Sequence, residues 1–449
     1  MIKNLVHSLL VCPSWETEYP KLTRGSGVYL YDDKGKRYLD GTSCSAAVSN
    51  IGHGNIEIAE VLYQQAQKLA ISPTHAFSSD VVEDYLDKLI AFSPKGFSRA
   101  WTISSGTEAV ENSLKLALQY HQILGKKNKY KIVSRWLSYH GNSVFTLDVG
   151  GMKLRRQNYE NWMHNFPHLP PVYQYRHPEQ MTEDEYCEYC ITQFIECIEK
   201  NDPETIAAYI AEPVVGAALG AAVPPKNYFK RINKICEQYD ILFISDEVMT
   251  GFGRLGANFG IEKFDTLPNI IAAGKGISGG YFPLSAVIAD EKISEVFESS
   301  GALFGAGHTY SCSPLAASVG SYIIDFYKKN NILENVNQMS ELFFKRLHEK
   351  IAPLDIVGDV RGNGLLIGVE LVKDKETKAA FSNDLQISRE VCAEAVQDGV
   401  ILYPCKGSIE GLYGDHIMIT PPLIINEEHI TEIVDVLGST LSKISQKYI

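Results

Sequence analysis

An acid at the end of a strand and a lysine between two glycines are the residues of this sequence best suited to chemistry. The apolar run at residues 241–245 ends in Asp246 and Glu247, and Lys275 follows in AAGKGISGG. Ligands of open α/β sheets bind beyond the carboxyl ends of strands, although such acids also solvate strand ends or cap helices. Glycines let a planar group approach the backbone, and loss of water lowers a lysine pKa toward the nucleophilic amine. A surface turn or a phosphate cradle would explain the lysine loop alone equally well.

A third motif, SSGTEAVE at residues 104–111, joins a predicted strand to a predicted helix. The first N–H groups of a helix have no partner within it, so together with the Thr107 hydroxyl they predict an anion site. The alternative is an ordinary Ser/Thr cap, with Glu108 and Glu111 complementing the helix dipole. Walker A spacing is absent, and no G-x-G-x-x-G follows the first strand, which disfavours a nicotinamide enzyme.

The three motifs together fit one cofactor better than they fit separate structural roles. Pyridoxal phosphate requires an anion site for its phosphate, a carboxylate that keeps its pyridine nitrogen protonated and a lysine that forms an imine. The combination predicts a pyridoxal-phosphate enzyme.

The elements that must position these residues alternate regularly. The pattern predicts a hairpin and a third strand within residues 25–41, then an α/β unit, and then an α+β unit that begins near residue 330. Predicted strands are 100–103, 130–134, 206–211, 241–245, 270–273, 360–372 (a pair or one bent strand) and 416–420; predicted helices are 55–70, 80–92, 108–124, 183–200, 226–239, 313–349 (broken at 328–332), 384–398 and 427–446.

We therefore predict a mostly parallel sheet with helices on both faces, followed by a smaller domain. The predicted boundaries are residues 1–55 for an N-terminal arm and small-domain hairpin, 56–330 for a large cofactor-binding domain, and 331–449 for a C-terminal small domain. Residues 149–182, hereafter the excursion, have little periodicity and are too long for an ordinary connection. We expect them to cover the site or a subunit interface.

Composition excludes several classes of protein. The 449 residues carry a formal net charge of −12 and are 45% hydrophobic, so nucleic-acid binding and general disorder are disfavoured. No apolar run is long enough to span a membrane, and the N-terminal segment lacks the features of an export signal. The expectation is a cytoplasmic protein with no membrane or nucleic-acid partner.

The nine cysteines do not predict a disulfide framework. Cys187 and Cys190 have C-x-x-C spacing, but apolar residues continue at helical steps after them. Because no second pair or nearby histidine completes a tetrahedral site, we interpret both thiols as part of an apolar helix face and predict no metal.

Nearly the whole chain resembles the class III pyridoxal-phosphate-dependent aminotransferases of fold type I, with similarity to omega-amino acid and amine transaminases. The matching blocks are VYLYDDKGKRYLDG, IGHGN, SSGTEAVENSLKLA, SYHGN, AEPVVGA, ISDEVMTGFGRLG, AGKGISGGYFPLSAV, HTYSCSPLAAS, VRGNGLLIGVEL and DHIMITPPLII. The resemblance implies a large domain with a mostly parallel, seven-stranded sheet flanked by helices, plus a smaller α+β domain.

The resemblance also implies roles for individual residues. Lys275 matches the lysine that forms the imine and moves protons, and Asp246 matches the partner of the pyridine nitrogen. The other implied cofactor contacts are Ser105, Gly106 and Thr107 at the phosphate, Tyr139 and Val248 on the two ring faces, His140, Glu212, whose role stays open, and Thr309, which would reach the phosphate of a neighbouring subunit. Thr309 implies a homodimer with shared active sites, unless it only caps the helix that begins near residue 313.

Two departures from the family pattern bear on the substrate. Met249 stands where many members have Gln near the cofactor phenolic oxygen, and Met418 stands where ornithine-type and acetylornithine-type members place a carboxylate-binding Arg. Lys406 lies in a nearby loop. The pattern favours an amine or omega-amino acid donor and a keto-acid acceptor such as pyruvate. The alternatives are a glutamate-1-semialdehyde-type aminomutase and an ornithine-type or acetylornithine-type aminotransferase. A cofactor-binding scaffold without turnover is disfavoured by Lys275, Asp246 and Thr107.

Overall fold

The computed structural model describes residues 19–177 and 180–449. The predicted N-terminal arm, apart from its last residues, lies outside the described residues. The strands of the described chain form three sheets. The strands are β1 (Leu22–Ser26), β2 (Tyr29–Asp32), β3 (Arg37–Asp40), β4 (Phe97–Ile103), β5 (Lys131–Arg135), β6 (His168–Leu169), β7 (Ile206–Ala211), β8 (Leu242–Glu247), β9 (Ile270–Ala273), β10 (Ser285–Asp290), β11 (Val357–Asn363), β12 (Leu366–Leu371), β13 (Val400–Ile401), β14 (Tyr403–Ile409) and β15 (Tyr413–Ile419).

The α-helices follow most of the predicted helical segments. They are α1 (Ile56–Lys68), α2 (Asp80–Phe92), α3 (Gly106–Ile123), α4 (Val144–Val149), α5 (Lys153–Arg156), α6 (Glu183–Lys200), α7 (Tyr228–Gln238), α8 (Glu291–Ser300), α9 (Pro314–Lys329), α10 (Ile332–Lys350), α11 (Ile387–Gln397) and α12 (Glu427–Tyr448). The predicted break after residue 328 separates α9 from α10, where Asn331 adopts a left-handed φ of 49°.

The central sheet has seven strands in the order β4-β10-β9-β8-β7-β5-β6. Neighbours from β9 to β6 are parallel, and β10 alone runs antiparallel to both of its neighbours. Every residue of β7, β8 and β9 is buried because helices cover both faces of the sheet. The predicted α/β fold is confirmed. The sequence interpretation missed β10 and α8.

Two four-stranded sheets flank this core. One has the order β1-β2-β3-β13, so the N-terminal hairpin pairs with a strand from near residue 400. The other, β11-β12-β15-β14, is antiparallel and packs against α11, while Gly368 of β12 closely approaches the backbone of Gly220. The segment predicted as a pair or a bent strand is the hairpin of β11 and β12. The domain boundaries at residues 55 and 330 stay predictions.

The excursion contains only short elements and is attached to the C-terminal part by one buried acid. Glu370 on β12 accepts hydrogen bonds from the Tyr173 hydroxyl at 2.7 Å and from the Arg176 guanidinium at 2.8 Å, both in the excursion. It also accepts from Arg361 of β11 and Ser408 of β14, each at 2.8 Å. One fully buried carboxylate thus joins side chains of the excursion, β11 and β14.

Two further sequence interpretations concern the C-x-x-C cysteines and a membrane-spanning segment. Cys187 and Cys190 lie buried on α6 with apolar neighbours and are free thiols. No helix within the described ranges combines the length and the apolar character needed to cross a bilayer.

Candidate active site

Loops that follow parallel strands of the central sheet meet around one cavity of about 280 Å³. They follow β4, β5, β7, β8 and β9, which end at the same edge of the sheet. The lining residues are Ser45, Ala46, Gly106, Thr107, Tyr139, His140, Gly141, Met152, Arg155, Glu212, Gly216, Ala217, Asp246, Val248, Met249, Lys275 and Tyr403. The structure therefore brings together most of the residues that the sequence predicted.

Asp246 is fixed in the cavity wall by hydrogen bonds to both carboxylate oxygens. Its Oδ2 lies 2.7 Å from Nδ1 of His140, and its Oδ1 accepts from the backbone N–H of Val248 at 3.1 Å. Since an ionised carboxylate only accepts, this contact assigns a proton to Nδ1 of His140. His140, predicted as a cofactor contact, lines the cavity and also orients the acid.

Lys275 lies beside Asp246 because β8 and β9 are parallel neighbours. Asp246 pairs with Ala272 in the register of the two strands, three residues before the lysine. The lysine backbone has a φ of 46°, a strained value for a residue with a side chain. Burial lowers the pKa of Lys275 to about 8, although Asp246 and Glu212 oppose the shift. The sheet register and the local strain thus place a readily deprotonated amine next to the acid.

The start of α3 supplies the predicted anion site. Ser105 caps the helix, because its Oγ accepts from the N–H of Glu108 at 3.2 Å while the Glu108 carboxylate accepts from the Ser104 and Ser105 N–H groups. Gly106 and Thr107 are the next residues, and their N–H groups have no acceptor within a helix. Both line the cavity, whereas Ser105 is exposed and lies outside it.

Val248 lies close to both glycine-containing loops. A Cβ on Gly106 would come within 2.7 Å of Val248 Cγ1, and a Cβ on Gly274 would come within 3.2 Å. A side chain at residue 106 would therefore displace Val248 or the start of α3. Tyr139 lines the same cavity from the loop after β5.

Glu212 is a carboxyl group with unused hydrogen-bonding capacity. It follows β7, is 6% exposed, and its Oε1 accepts only a long bond of 3.4 Å from the N–H of Gly216. Its Oε2 is buried without a partner among the described residues. Burial, reinforced by Asp246, raises the pKa of Glu212. Sequence reasoning found the residue but not this unsatisfied oxygen.

The residues at which the sequence departs from the family pattern lie in different environments. Met249 lines the cavity, whereas Met418 is fully buried on β15 among apolar side chains. Lys406 donates to the carbonyl of Asn383 at 3.0 Å and does not line the cavity. The cation that does line it, besides Lys275, is Arg155 of α5. Sequence reasoning missed Arg155, because the excursion has no periodicity to show which of its charges faces inward.

Thr309, like Ser105, is a predicted site residue that does not line this cavity. It is exposed, in a turn before α9, and does not line the cavity of its own chain. The N-cap of α9 is Ser313, whose Oγ accepts from the N–H of Ala316. Helix capping therefore does not account for Thr309.

The chemistry of the site fits pyridoxal phosphate. Unpartnered buried polar atoms remain at Glu212 Oε2 and His140 Nε2, glycine clears space beside Val248, and free helix N–H groups face the cavity. A carboxylate and a low-pKa lysine complete the set of groups that this cofactor requires.

A separate cluster, Asp40, Cys44 and His53, brings three possible metal ligands within 4.8 Å of one another. The Asp40 carboxylate accepts from the N–H groups of Thr42 and Cys44 and lies 2.9 Å from His53 Nε2. Burial raises the pKa of the Cys44 thiol to about 12, so the thiolate that a metal would need is disfavoured. These hydrogen bonds account for the cluster, and we assign no metal to it.

A doubly covered α/β sheet with an acid and a lysine at adjacent strand ends defines the fold type I class of pyridoxal-phosphate enzymes. The family model described as "Aminotransferase class-III" matches residues 13–441. An uncharacterized aminotransferase of Schizosaccharomyces pombe is 37% identical over 94% of this chain and 92% of its own length.

Solved structures agree with this assignment. A thermostable (S)-enantioselective omega-transaminase from Thermomicrobium roseum superposes with a TM-score of 0.89 at 32% identity, over 95% of this chain and 93% of the other. The omega-transaminase from Pseudomonas jessenii in complex with PMP gives 0.89 at 30% identity, over 96% and 94%. The chain belongs to the class III aminotransferases and is an enzyme of that family.

Proposed function

We propose that this enzyme moves an amino group from an amine or omega-amino acid donor to a keto acid such as pyruvate, with pyridoxal phosphate bound in the cavity. The observation that carries the proposal is the position of Lys275 beside Asp246, set by the register of β8 and β9. The likeness to solved omega-transaminases supports the same class of donor.

The cofactor, when bound, accepts the amino group and delocalises the electron pair left when the substrate carbon loses its proton. Asp246 would hold the pyridine nitrogen protonated through a charged hydrogen bond, with His140 fixing the carboxylate. The N–H groups of Gly106 and Thr107 would bind the phosphate. The Nζ atom of Lys275 would take the proton from the substrate carbon and deliver it to the cofactor side of the shared nitrogen, so that the donor leaves as a carbonyl compound. Its lowered pKa of about 8 favours this role near neutral pH.

The position of Met418 disfavours an ornithine-type or acetylornithine-type donor. A carboxylate beside the buried thioether would lose its water and gain no charged partner there. The aminomutase alternative is distinguished by turnover rather than by geometry. An aminomutase converts glutamate-1-semialdehyde without a second substrate, whereas a transaminase requires an acceptor.

The test is a panel of amines and omega-amino acids offered to the holoenzyme with pyruvate or 2-oxoglutarate. We expect donor-dependent changes in cofactor absorbance, and product only when an acceptor is present. The Lys275→Ala variant should show neither, whereas Lys230→Ala, which alters an exposed lysine, is its matched control and should behave like wild type. Turnover of glutamate-1-semialdehyde alone, with no donor–acceptor pair active, would overturn the proposal in favour of the mutase.

The second part of the proposal is a homodimer in which Thr309 completes the partner's phosphate site. Its support is the family resemblance, the exposure of Thr309 and the capping of α9 by Ser313. Folded monomer should then bind cofactor weakly, because dimer and cofactor stabilise each other by linkage. We keep a cytoplasmic location as part of the proposal.

Subunit exchange tests the shared site. An inactive Lys275→Ala chain mixed with an impaired Thr309→Ala chain should regain activity, because one site of each mixed dimer receives both defects and the other receives neither. If both residues serve the site of one chain, no activity returns. Full activity of Thr309→Ala alone would contradict the phosphate role.

A further inference from the structure

Two acids and two cations line the cavity, and one of the cations has no role in the proposed reaction. Its acids are Asp246 and Glu212, and its cations are Lys275 and Arg155. Asp246 is held by His140, and Lys275 is the amine on which the chemistry depends. Arg155 is therefore the one full positive charge among the described lining residues that the proposed reaction leaves without a role.

Other basic residues close to Arg155 in sequence or near the cavity have partners elsewhere. Arg156 is 4% exposed and donates to the carbonyl oxygens of Leu147, Asp148 and Gly150. Lys406 donates to the carbonyl of Asn383. Arg254 is fully buried and is also bound to carbonyl oxygens.

Arg155 has a different environment. Its guanidinium carbon lies 5.0 Å from the centroid of the Tyr139 ring, the ring that lines the cofactor cavity. Its charge also acts on β14, where it opposes the increase that burial causes in the pKa of Tyr403 and Cys405. None of the ion pairs found between described residues includes Arg155. The guanidinium thus faces the cavity between the loop after β5 and β14, with no carboxylate of the described residues in ion-pair contact with it.

We propose that Arg155 binds the carboxylate of the keto-acid acceptor and of carboxylate-bearing donors, and that it is the specificity residue of this site. The inference rests on the proposed function. A planar guanidinium pairs with a carboxylate through two parallel N–H···O bonds, and the Tyr139 ring restricts its orientation. The carboxylate would be recognised from the excursion rather than from β15, whose Met418 faces the core.

The test compares Arg155→Gln, Arg155→Lys and the matched control Lys406→Gln on two acceptors that differ by a carboxylate, pyruvate and acetaldehyde. Loss of a charged hydrogen-bonding partner should raise the KM for pyruvate roughly tenfold to hundredfold in Arg155→Gln. With an amine donor that carries no carboxylate, the kinetics with acetaldehyde should stay close to wild type. Arg155→Lys should retain part of the pyruvate affinity, and Lys406→Gln should retain all of it.

A second measurement does not depend on turnover. Propanoate, which cannot be transaminated, should bind wild-type holoenzyme more tightly than Arg155→Gln when followed by calorimetry, with Lys406→Gln like wild type. The melting temperature and cofactor absorbance of each variant report its folding. If Arg155→Gln misfolds, the partial affinity of Arg155→Lys decides in favour of the proposal, and wild-type propanoate affinity in Arg155→Lys decides against it.

Equal losses with pyruvate and acetaldehyde, unchanged kinetics with both, or a loss confined to Lys406→Gln would overturn the role of Arg155. Failure of the proposed function looks different. In that case wild-type enzyme transfers no amino group with any donor, while the difference in propanoate binding between wild type and Arg155→Gln is still measurable.

Discussion

The two ends of the cavity are built in different ways. The cofactor end consists of loops directly after β4, β5, β7, β8 and β9, so each side chain is at most a few residues from a buried strand. The end that we propose for the substrate takes Met152 and Arg155 from the excursion and Tyr403 from β14. The first set is positioned by the register of one sheet, whereas the second depends on contacts between distant parts of the chain.

Under the proposed function, the residues for the chemical step and those for substrate recognition are therefore held in place by different parts of the molecule. Strand-end loops are rigid because the sheet beneath them is fully buried. The excursion is fixed instead by Glu370 and its four hydrogen-bond donors. A change at the cofactor end should therefore alter the rate constant, and a change in the Glu370 cluster should alter stability and substrate binding.

The largest expected effect is at the cofactor end. Lys275→Ala should abolish turnover and the absorbance of lysine-bound cofactor, because Lys275 is the only lysine among the described residues that line the cavity. The melting temperature of the cofactor-free protein should stay close to that of wild type. Burial disfavours the charged Lys275 amine, as its lowered pKa shows, so replacing this side chain with alanine removes an unfavourable contribution along with its contacts. Wild-type turnover by this variant would contradict the assignment.

The next largest effect is a loss of stability when the contacts that hold the excursion are weakened. Glu370→Gln leaves the largely buried guanidinium of Arg176 without a carboxylate partner among the described residues, and leaves Arg361 with Asp359 as its remaining one. The change should cost about 3–5 kcal/mol of unfolding free energy. The exposed pair of Glu432 and Arg37 is the control, where Glu432→Gln should cost at most about 1 kcal/mol. Chemical denaturation measures both, and equal losses would refute the anchoring role.

This prediction has a pH dependence. Burial alone would raise the pKa of Glu370, but Arg361, His416 and Arg176 outweigh it and lower the value to about 2. A carboxyl whose folded pKa lies below its unfolded value stabilises the fold above that unfolded value, about 4.3. The contribution should disappear as the pH falls from about 4.3 toward 2. The difference between wild type and Glu370→Gln should narrow over that range.

Asp246→Asn tests the cofactor end more finely. The amide keeps the size of the side chain but not its charge, so some cofactor should stay bound while turnover falls roughly 10²-fold or more. Glu247→Gln is the matched control on the next residue. Glu247 is buried and accepts from the N–H groups of Gly260 and Ile261 outside the cavity, so its change should lower stability more than the rate of folded enzyme. Near-normal turnover in Asp246→Asn would exclude its role.

The smallest effect is a shift in pH dependence. Capture of pyridoxal phosphate by cofactor-free enzyme needs the neutral Lys275 amine, and burial lowers its pKa from 10.5 to about 8. The capture rate should therefore rise with pH around a midpoint near 8. In Asp246→Asn the midpoint should fall further, because Asp246 favours the charged lysine. Stopped-flow absorbance across the pH range measures both, and a midpoint near 10.5 would show that the amine is not desolvated.

The sequence by itself was sufficient for the cofactor end. A buried apolar run followed by Asp246, and glycines on both sides of Lys275, are local patterns that depend on neighbouring residues along the chain. The same is true of the Ser105 cap and of the order of strands and helices. The α/β fold and the family follow from these patterns, because parallel strands must end at a common edge.

Which charges face the cavity, by contrast, is visible only in the folded protein. Arg155 and Arg156 are adjacent and identical in sequence terms, yet one lines the cavity and the other is bound to backbone carbonyls. Lys406 turned out to point away, and Glu212 proved to carry an unsatisfied oxygen. These outcomes depend on contacts of the excursion with distant elements such as β12, where Glu370 binds Tyr173 and Arg176 across 197 and 194 positions of the chain. No pattern in a single stretch of sequence records such long-range contacts.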